Sequence, residues 1–142
     1  MKVKEIMSKE IASLRSEDSI EKAAQLMKTY NVGSLPVCSG QQVVGIITDR
    51  DITLRSVATG HDSKDHTVGN IMSSNPIVGN PEMDVDDAVR IMSESQIRRL
   101  PIVEDNSLVG IVALGDISLE PTLQNTAEEA LSNISQPDNS QM

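Results

Sequence analysis

Slid against itself by 65 positions, the chain aligns residues 3–52 with residues 68–117 without a gap. Identities include Val3/Val68, Ile6/Ile71, Met7/Met72, Ser8/Ser73, Ala23/Ala88 and Met27/Met92. They continue at Leu35/Leu100, Pro36/Pro101, Val44/Val109, Gly45/Gly110, Ile46/Ile111, Asp51/Asp116 and Ile52/Ile117. Average residue usage would leave about three identities by chance over such a stretch. Many other pairs are aliphatic exchanges, such as Ile20/Val85, Val37/Ile102 and Ile47/Val112. A unit of this size buries a marginal core alone, so the copies are expected to form one folding unit.

Each copy carries the same local pattern. A short apolar segment comes first, IASL at 11–14 and PIV at 76–78. Next, Ile20, Ala23, Ala24 and Met27, and their twins Val85, Ala88, Val89 and Met92, have the spacing of one buried helical face. Asp18, with Glu21 three residues on, is a candidate capping box for the first helix. Two apolar runs follow, SLPVC (34–38) and VVGIIT (43–48), with twins RLPIV (99–103) and LVGIVA (108–113). They are continuous rather than alternating, so both faces should be covered. Proline within the first strand of each pair points to a strand start or an edge. A second helix is expected from Asp49 and, in the second copy, from near Gly115. The order per copy is β-α-β-β-α, a mixed α/β fold. The expected division is repeat 1 over 1–58, a polar linker over 59–67, repeat 2 over 68–120, and a C-terminal segment over 121–142. A short helix is expected over 126–134, and 135–142 has the composition of a disordered tail.

The totals narrow the function. The 142 residues carry 12 Lys+Arg against 21 Asp+Glu, a net charge of −9. That argues against a surface built for duplex nucleic acid or for an anionic membrane. With no Trp or Phe and one Tyr, the chain has no platform for stacking single-stranded bases. A lone cysteine, Cys38, excludes an intramolecular disulfide and a CxxC motif. No run approaches the roughly 20 apolar residues of a spanning helix, nor does the N-terminus read as a signal peptide. A cytoplasmic location is the expectation.

Residues 45–51 read GIITDRD, and their echo at 110–116 reads GIVALGD. Thr48 with Asp51 has the spacing of a cap, in which the hydroxyl and the carboxylate satisfy orphan amides at a helix start. In the echo, Ala113 replaces the threonine.

Two βαββα copies, each with an IMS segment, an h-P-h strand and a G-h-h-x-x-x-D stretch, resemble a pair of cystathionine β-synthase (CBS) domains. The resemblance spans about residues 3–119. It implies two repeats packed as one pseudo-two-fold pair. It also implies regulatory binding of adenosyl ligands (AMP, ADP, ATP or S-adenosylmethionine) in clefts between the repeats, with the nucleotide as regulatory ligand and no obligatory cofactor. A homodimer and a regulated protein partner of unknown identity are further implications.

The resemblance gives candidate residues. Asp51 would hold a ribose diol, as acidic residues do in other nucleotide folds, and Thr48 would lie near the phosphate at a helix start. Arg50 joins them on the same turn. Arg98 and Arg99, whose guanidinium groups suit phosphate, would reach that cleft from the second copy. Asn75, Pro76, Ile77 and Pro101 would form its adenine slot. Core packing is an equal reading for Ile77 and Ile11. The second, weaker cleft would combine Asp116 with Ile11, Ala12, Ser34 and Pro36. It lacks the threonine and the arginines, so one anion-competent site and one weak site are expected.

Other features have plain readings. HDSKDH (61–66) fits no zinc spacing and reads as a solvated loop, so no metal site is expected. Cys38 aligns with Val103 and reads as a buried small hydrophobe. No nucleophile–base constellation appears. The chain reads as a binding module rather than an enzyme; a ligand-free dimerisation module is the alternative.

Overall fold

The computed structural model describes residues 1–60, 62, 65–120 and 123–136. His61 of the HDSKDH stretch and residues 137–142 of the expected tail lie outside the described residues. In chain order the elements are α1 (Ile20–Tyr30), β1 (Ser34–Ser39), β2 (Gln42–Thr48), α2 (Asp49–Ile52), α3 (Val68–Ile71) and β3 (Ser73–Ser74). Then come α4 (Val85–Ser95), β4 (Arg99–Glu104), β5 (Ser107–Ala113), α5 (Leu114–Ser118) and α6 (Gln124–Ile134). A 3-10 turn covers Val3–Glu5, and α2 runs on into a π-helical turn, Thr53–Val57.

The expected helices and hairpins are present. On α1, Ile20, Ala23 and Met27 are buried, but Ala24, expected on the same face, is exposed; on α4, Val85, Ala88, Val89 and Met92 are all buried. The cap of α1 differs from expectation. Ser19 is the N-cap, and its hydroxyl accepts from Lys22 N at 3.1 Å. Asp18 stands one residue too early and instead accepts from Arg15 N at 2.8 Å, closing the preceding turn. The opening strand of each copy also shrinks. Leu14 and Gly79 make single parallel bridges to Val37 and Ile102, and no regular strand forms there. β1 pairs antiparallel with β2, and β2 with β3; Pro36 lies on the strand at the end of this order. The β4–β5 turn, Asp105–Asn106, places both residues at positive φ (52° and 66°), the backbone of a two-residue hairpin loop.

The packing units do not coincide with the sequence repeats. One unit comprises the described residues of Glu10–Ile77 with Asp105–Leu108; the other comprises Met1–Lys9, Val78–Glu104 and the described residues from Val109 on. The segment that opens repeat 1 therefore packs with the body of repeat 2, and the segment that opens repeat 2 packs with the body of repeat 1. Each unit has its own apolar core. The first-repeat core gathers Leu14, Ile20, Ala23, Met27, Leu35, Val37, Ile47, Val68 and Ile71. The second-repeat core gathers Val3, Val85, Ala88, Met92, Leu100, Ile102, Val112, Leu114 and Ile117, and extends to Ala127 and Ala130 of α6.

Matching bonds fix both opening segments. Ser8 and Ile111 exchange backbone bonds of 2.8 and 2.9 Å, and Ser73 and Ser74 pair with Ile46 and Gly45. Val85 N donates to Met1 O at 2.9 Å, and Ile20 N donates to His66 O at 3.2 Å, at twin positions. The repeated glycines now have a cause. A Cβ on Gly45 would stand 2.5 Å from Met72 Sδ and 2.9 Å from Ser73 O. On Gly110 it would stand 2.6 Å from Met7 Sδ and 3.1 Å from Ser8 O. Gly45→Ala and Gly110→Ala should therefore each destabilise by about 1–3 kcal/mol, the usual cost of overpacking. Gly115→Ala, with nothing within 4 Å of its added Cβ, should not destabilise. Urea unfolding of the three variants checks this.

The N-terminal segment also carries a surface ion cluster. Lys2 Nζ and Lys4 Nζ reach the two oxygens of Glu82 at 2.7 and 2.9 Å. The hydrogen bonds from Lys2 and Lys4, reinforced by their charges, lower the Glu82 pKa from 4.5 to about 2. A lowered folded-state pKa contributes stability that is present above the unfolded value and is lost as pH falls through the folded one. The difference in melting temperature between wild type and Glu82→Gln should stay constant near neutrality. It should shrink as pH falls from 4.5 towards about 2, and shrink with added salt at neutral pH.

Candidate functional site

In the first-repeat unit the site is built where β2 ends and α2 begins. Thr48 keeps extended backbone (φ −115°, ψ 161°), so its side chain turns back over the helix start. Asp51 N donates to Thr48 Oγ1 at 3.0 Å, and Thr48 N donates to Asp51 Oδ2 at 3.0 Å. The cap expected from sequence is thus formed with both bonds. The Asp51 side chain is 14 % exposed, and its Oδ1 faces Arg55 Nε at 3.8 Å. Arg55 also donates from Nη1 to Ile71 O at 3.2 Å. Sequence reading missed Arg55, although the i,i+4 spacing from Asp51 signals such a pair. Asp49 N donates to Gly33 O at 2.9 Å, which ties the α2 start to the approach of β1. Arg50 is exposed and makes no ion pair among the described residues.

The other candidates of this unit surround the same strands. Ser34 lies opposite Thr48 in the β1–β2 register, and Pro36 is buried, with its carbonyl accepting from Leu14 N at 3.0 Å. Ile11 and Ala12 are half-buried, and Ala12 packs on the first-repeat core. Asn75 has left-handed backbone (φ 59°) and is exposed; Pro76 is half-buried. Ile77 is 44 % exposed, so core packing does not account for it.

The second-repeat unit repeats the geometry with one bond missing. Leu114 N donates to Arg98 O at 2.8 Å, as Asp49 does to Gly33. Ala113 N donates to Asp116 Oδ2 at 3.4 Å, and no hydroxyl is present to return a bond. Arg98 is exposed, without an ion pair among the described residues. Arg99 is half-buried, and its buried Nε has no hydrogen-bond partner. Burial lowers the Arg99 pKa below its ordinary value, and the Asp116 carboxylate partly offsets this. Pro101 is buried, and its carbonyl accepts from Gly79 N at 2.9 Å. Within its unit, then, Arg99 feels the charge of Asp116 of its own repeat without forming an ion pair with it. The cross-repeat groupings implied by the resemblance join residues of different units: Arg98 and Arg99 with Asp51, and Asp116 with Ile11, Ala12, Ser34 and Pro36.

Cys38 is buried as expected, and burial raises its thiol pKa. Among the described residues no group of three or more His, Cys, Asp or Glu side chains could hold a metal ion. No described helix is long and apolar enough to cross a membrane.

The CBS domain family model matches residues 3–57 and again residues 68–120. The chain belongs to the CBS domain family. It is 45% identical over 133 residues to the CBS domain-containing protein YhcV of Bacillus subtilis, covering 94% of each chain. A solved structure of hypoxic response protein I with two coordinated zinc ions is similar at TM-score 0.78 and 28% identity. That match covers 84% of this chain and 98% of the other. The CBS domain pair of protein MJ0100, solved with 5′-methylthioadenosine and S-adenosyl-L-methionine, is similar at TM-score 0.74 and 34% identity. It covers 84% of this chain and 94% of that one.

The two caps make a measurable contrast. Thr48→Ala removes a formed hydroxyl bond and should cost about 0.5–2 kcal/mol. Ala113→Ser adds the missing hydroxyl and should leave stability unchanged or raise it. Paired thermal and urea unfolding of the two variants reads the difference.

Proposed function

We propose that this CBS pair is a regulatory module that binds an adenosyl ligand, AMP, ADP, ATP or S-adenosylmethionine, mainly at Asp51. The observation that carries the reading is the complete Thr48–Asp51 cap in the first repeat beside the incomplete Ala113–Asp116 one. The cap fixes a carboxylate whose other oxygen has only a 3.8 Å contact to Arg55, leaving it able to accept from a ribose diol. The complex of MJ0100 with two adenosyl compounds supports the ligand class. Arg98 and Arg99 are the phosphate partners in this reading, with Arg50 at the helix start. The buried, unpartnered Nε of Arg99 supports a demand for a further acceptor. Asn75, Pro76, Ile77 and Pro101 form the adenine slot. Asp116, with Ile11, Ala12, Ser34 and Pro36, forms the weaker second site. The nucleotide acts as a signal and not as a cofactor. The protein works as a cytoplasmic homodimer, passes ligand occupancy to a protein partner, and catalyses no reaction.

Calorimetry with the four ligands on wild type, Asp51→Ala and Arg98→Ala/Arg99→Ala tests this. Charge-assisted bonds of about 1.5–3 kcal/mol predict losses of roughly 10- to 100-fold per bond. Asp51→Ala should weaken every ligand. The arginine pair should weaken the phosphorylated ones and spare S-adenosylmethionine. Absence of binding by any of the four to wild type sinks the reading.

A second reading, a ligand-free dimerisation module, is favoured by Leu54 and Val57, which are 49% and 65% exposed on the turn after α2. It predicts a dimer whose dissociation constant ignores all four ligands.

A further inference from the structure

The two repeats begin their last helix in different ways. In the first, Thr48-Asp49-Arg50 supplies a hydroxyl cap followed by two exposed charges. In the second, the twin residues are Ala113, Leu114 and Gly115; the hydroxyl is gone, and Leu114 is 7 % exposed. Leu114 shares one apolar core with residues of α6. That helix packs along both α4 and α5, and its Ala127 and Ala130 are 4 % and 1 % exposed. Leu123, just before its first turn, and Ile134, at its last residue, pack on the same core. Gln96, which ends α4, donates from Nε2 to Asn133 O at 3.4 Å and to Gln136 O at 3.2 Å. The family match ends at residue 120, and α6 lies beyond it.

From this substitution of one anchor for another, we infer that α6 is the positioning element of Asp116. It holds by packing, through Ala127 and Ala130, the helix start that Thr48 holds by hydrogen bonding in the first repeat. The backbone at the two starts is nearly the same, φ −115° at Thr48 and −105° at Ala113. Position 113 would therefore accept a threonine cap, and its absence matches a helix already fixed from outside. On the reading of Asp51 and Asp116 as ligand residues, an event at the C-terminal helix acts first on the Asp116 helix start.

Amide hydrogen exchange on the ligand-free, full-length protein tests this. Ala130→Glu places a charge in the α4–α6 seam. It should speed exchange of the α5 amides by at least about tenfold while leaving those of α2 at wild-type rates. Adding Ala113→Thr should return most of the α5 protection. Gln96→Ala, a milder change, should shift α5 in the same direction by less, and it decides the matter if Ala130→Glu does not fold. Two results would overturn the inference. One is wild-type protection of α5 once α6 has been released. The other is a loss spread evenly over β4 and β5 that Ala113→Thr does not relieve, which makes α6 an ordinary part of the core. No ligand enters the measurement, so failure of adenosyl binding would remove the proposed function and leave this result standing.

Discussion

A methionine laid across a glycine, Met7 on Gly110 and Met72 on Gly45, marks the contact on which the duplicated architecture depends. Each opening segment can reach a strand of the other repeat only where that strand has no side chain. The contact is close enough for backbone pairing, Ser8 with Ile111 and Ser73 with Ile46. Once paired, the segment delivers Val3 or Val68 into a core, each fully buried. The hydrophobic effect is non-directional, and it is the missing Cβ that gives this burial an address.

On that shared frame the repeats diverge at their last helix. Thr48 and Asp51 close a local ring of two hydrogen bonds, while Asp116 keeps one longer bond and its neighbour Leu114 is buried. The exchange is consistent along the turn. Exposed Asp49 becomes buried Leu114, and exposed Ala24 on α1 becomes buried Val89 on α4. Substitutions that look like drift in an alignment of the two copies are the imprint of α6.

Much of this was legible in the sequence, because the repeat is an internal alignment. The face of α4, that of α1 apart from Ala24, the two hairpins and the Thr48–Asp51 cap follow from spacing that local physics enforces. Less legible was whatever depended on contacts distant in the chain. IASL and PIV read as strands, yet Leu14 and Gly79 each find only one bridge. Ser19 and Asp18 are both good caps, and which one acts depends on how the preceding turn closes at Arg15. The short helix expected near 126–134 formed, but nothing in TAEEALSNI says that it will lie on α4 and α5. For the site, the sequence supplied Asp51 and its cap. It did not supply Arg55, nor the company of Arg99 with Asp116 within one unit.

The traded opening segments also bear on how such a chain could arise. A lone ancestral copy, with its first nine residues shaped for the strand of a different copy, could satisfy that strand only by lending the segment to a neighbour and borrowing one back. Duplication within one polypeptide turns that loan between molecules into an internal exchange. Its strength then no longer depends on protein concentration.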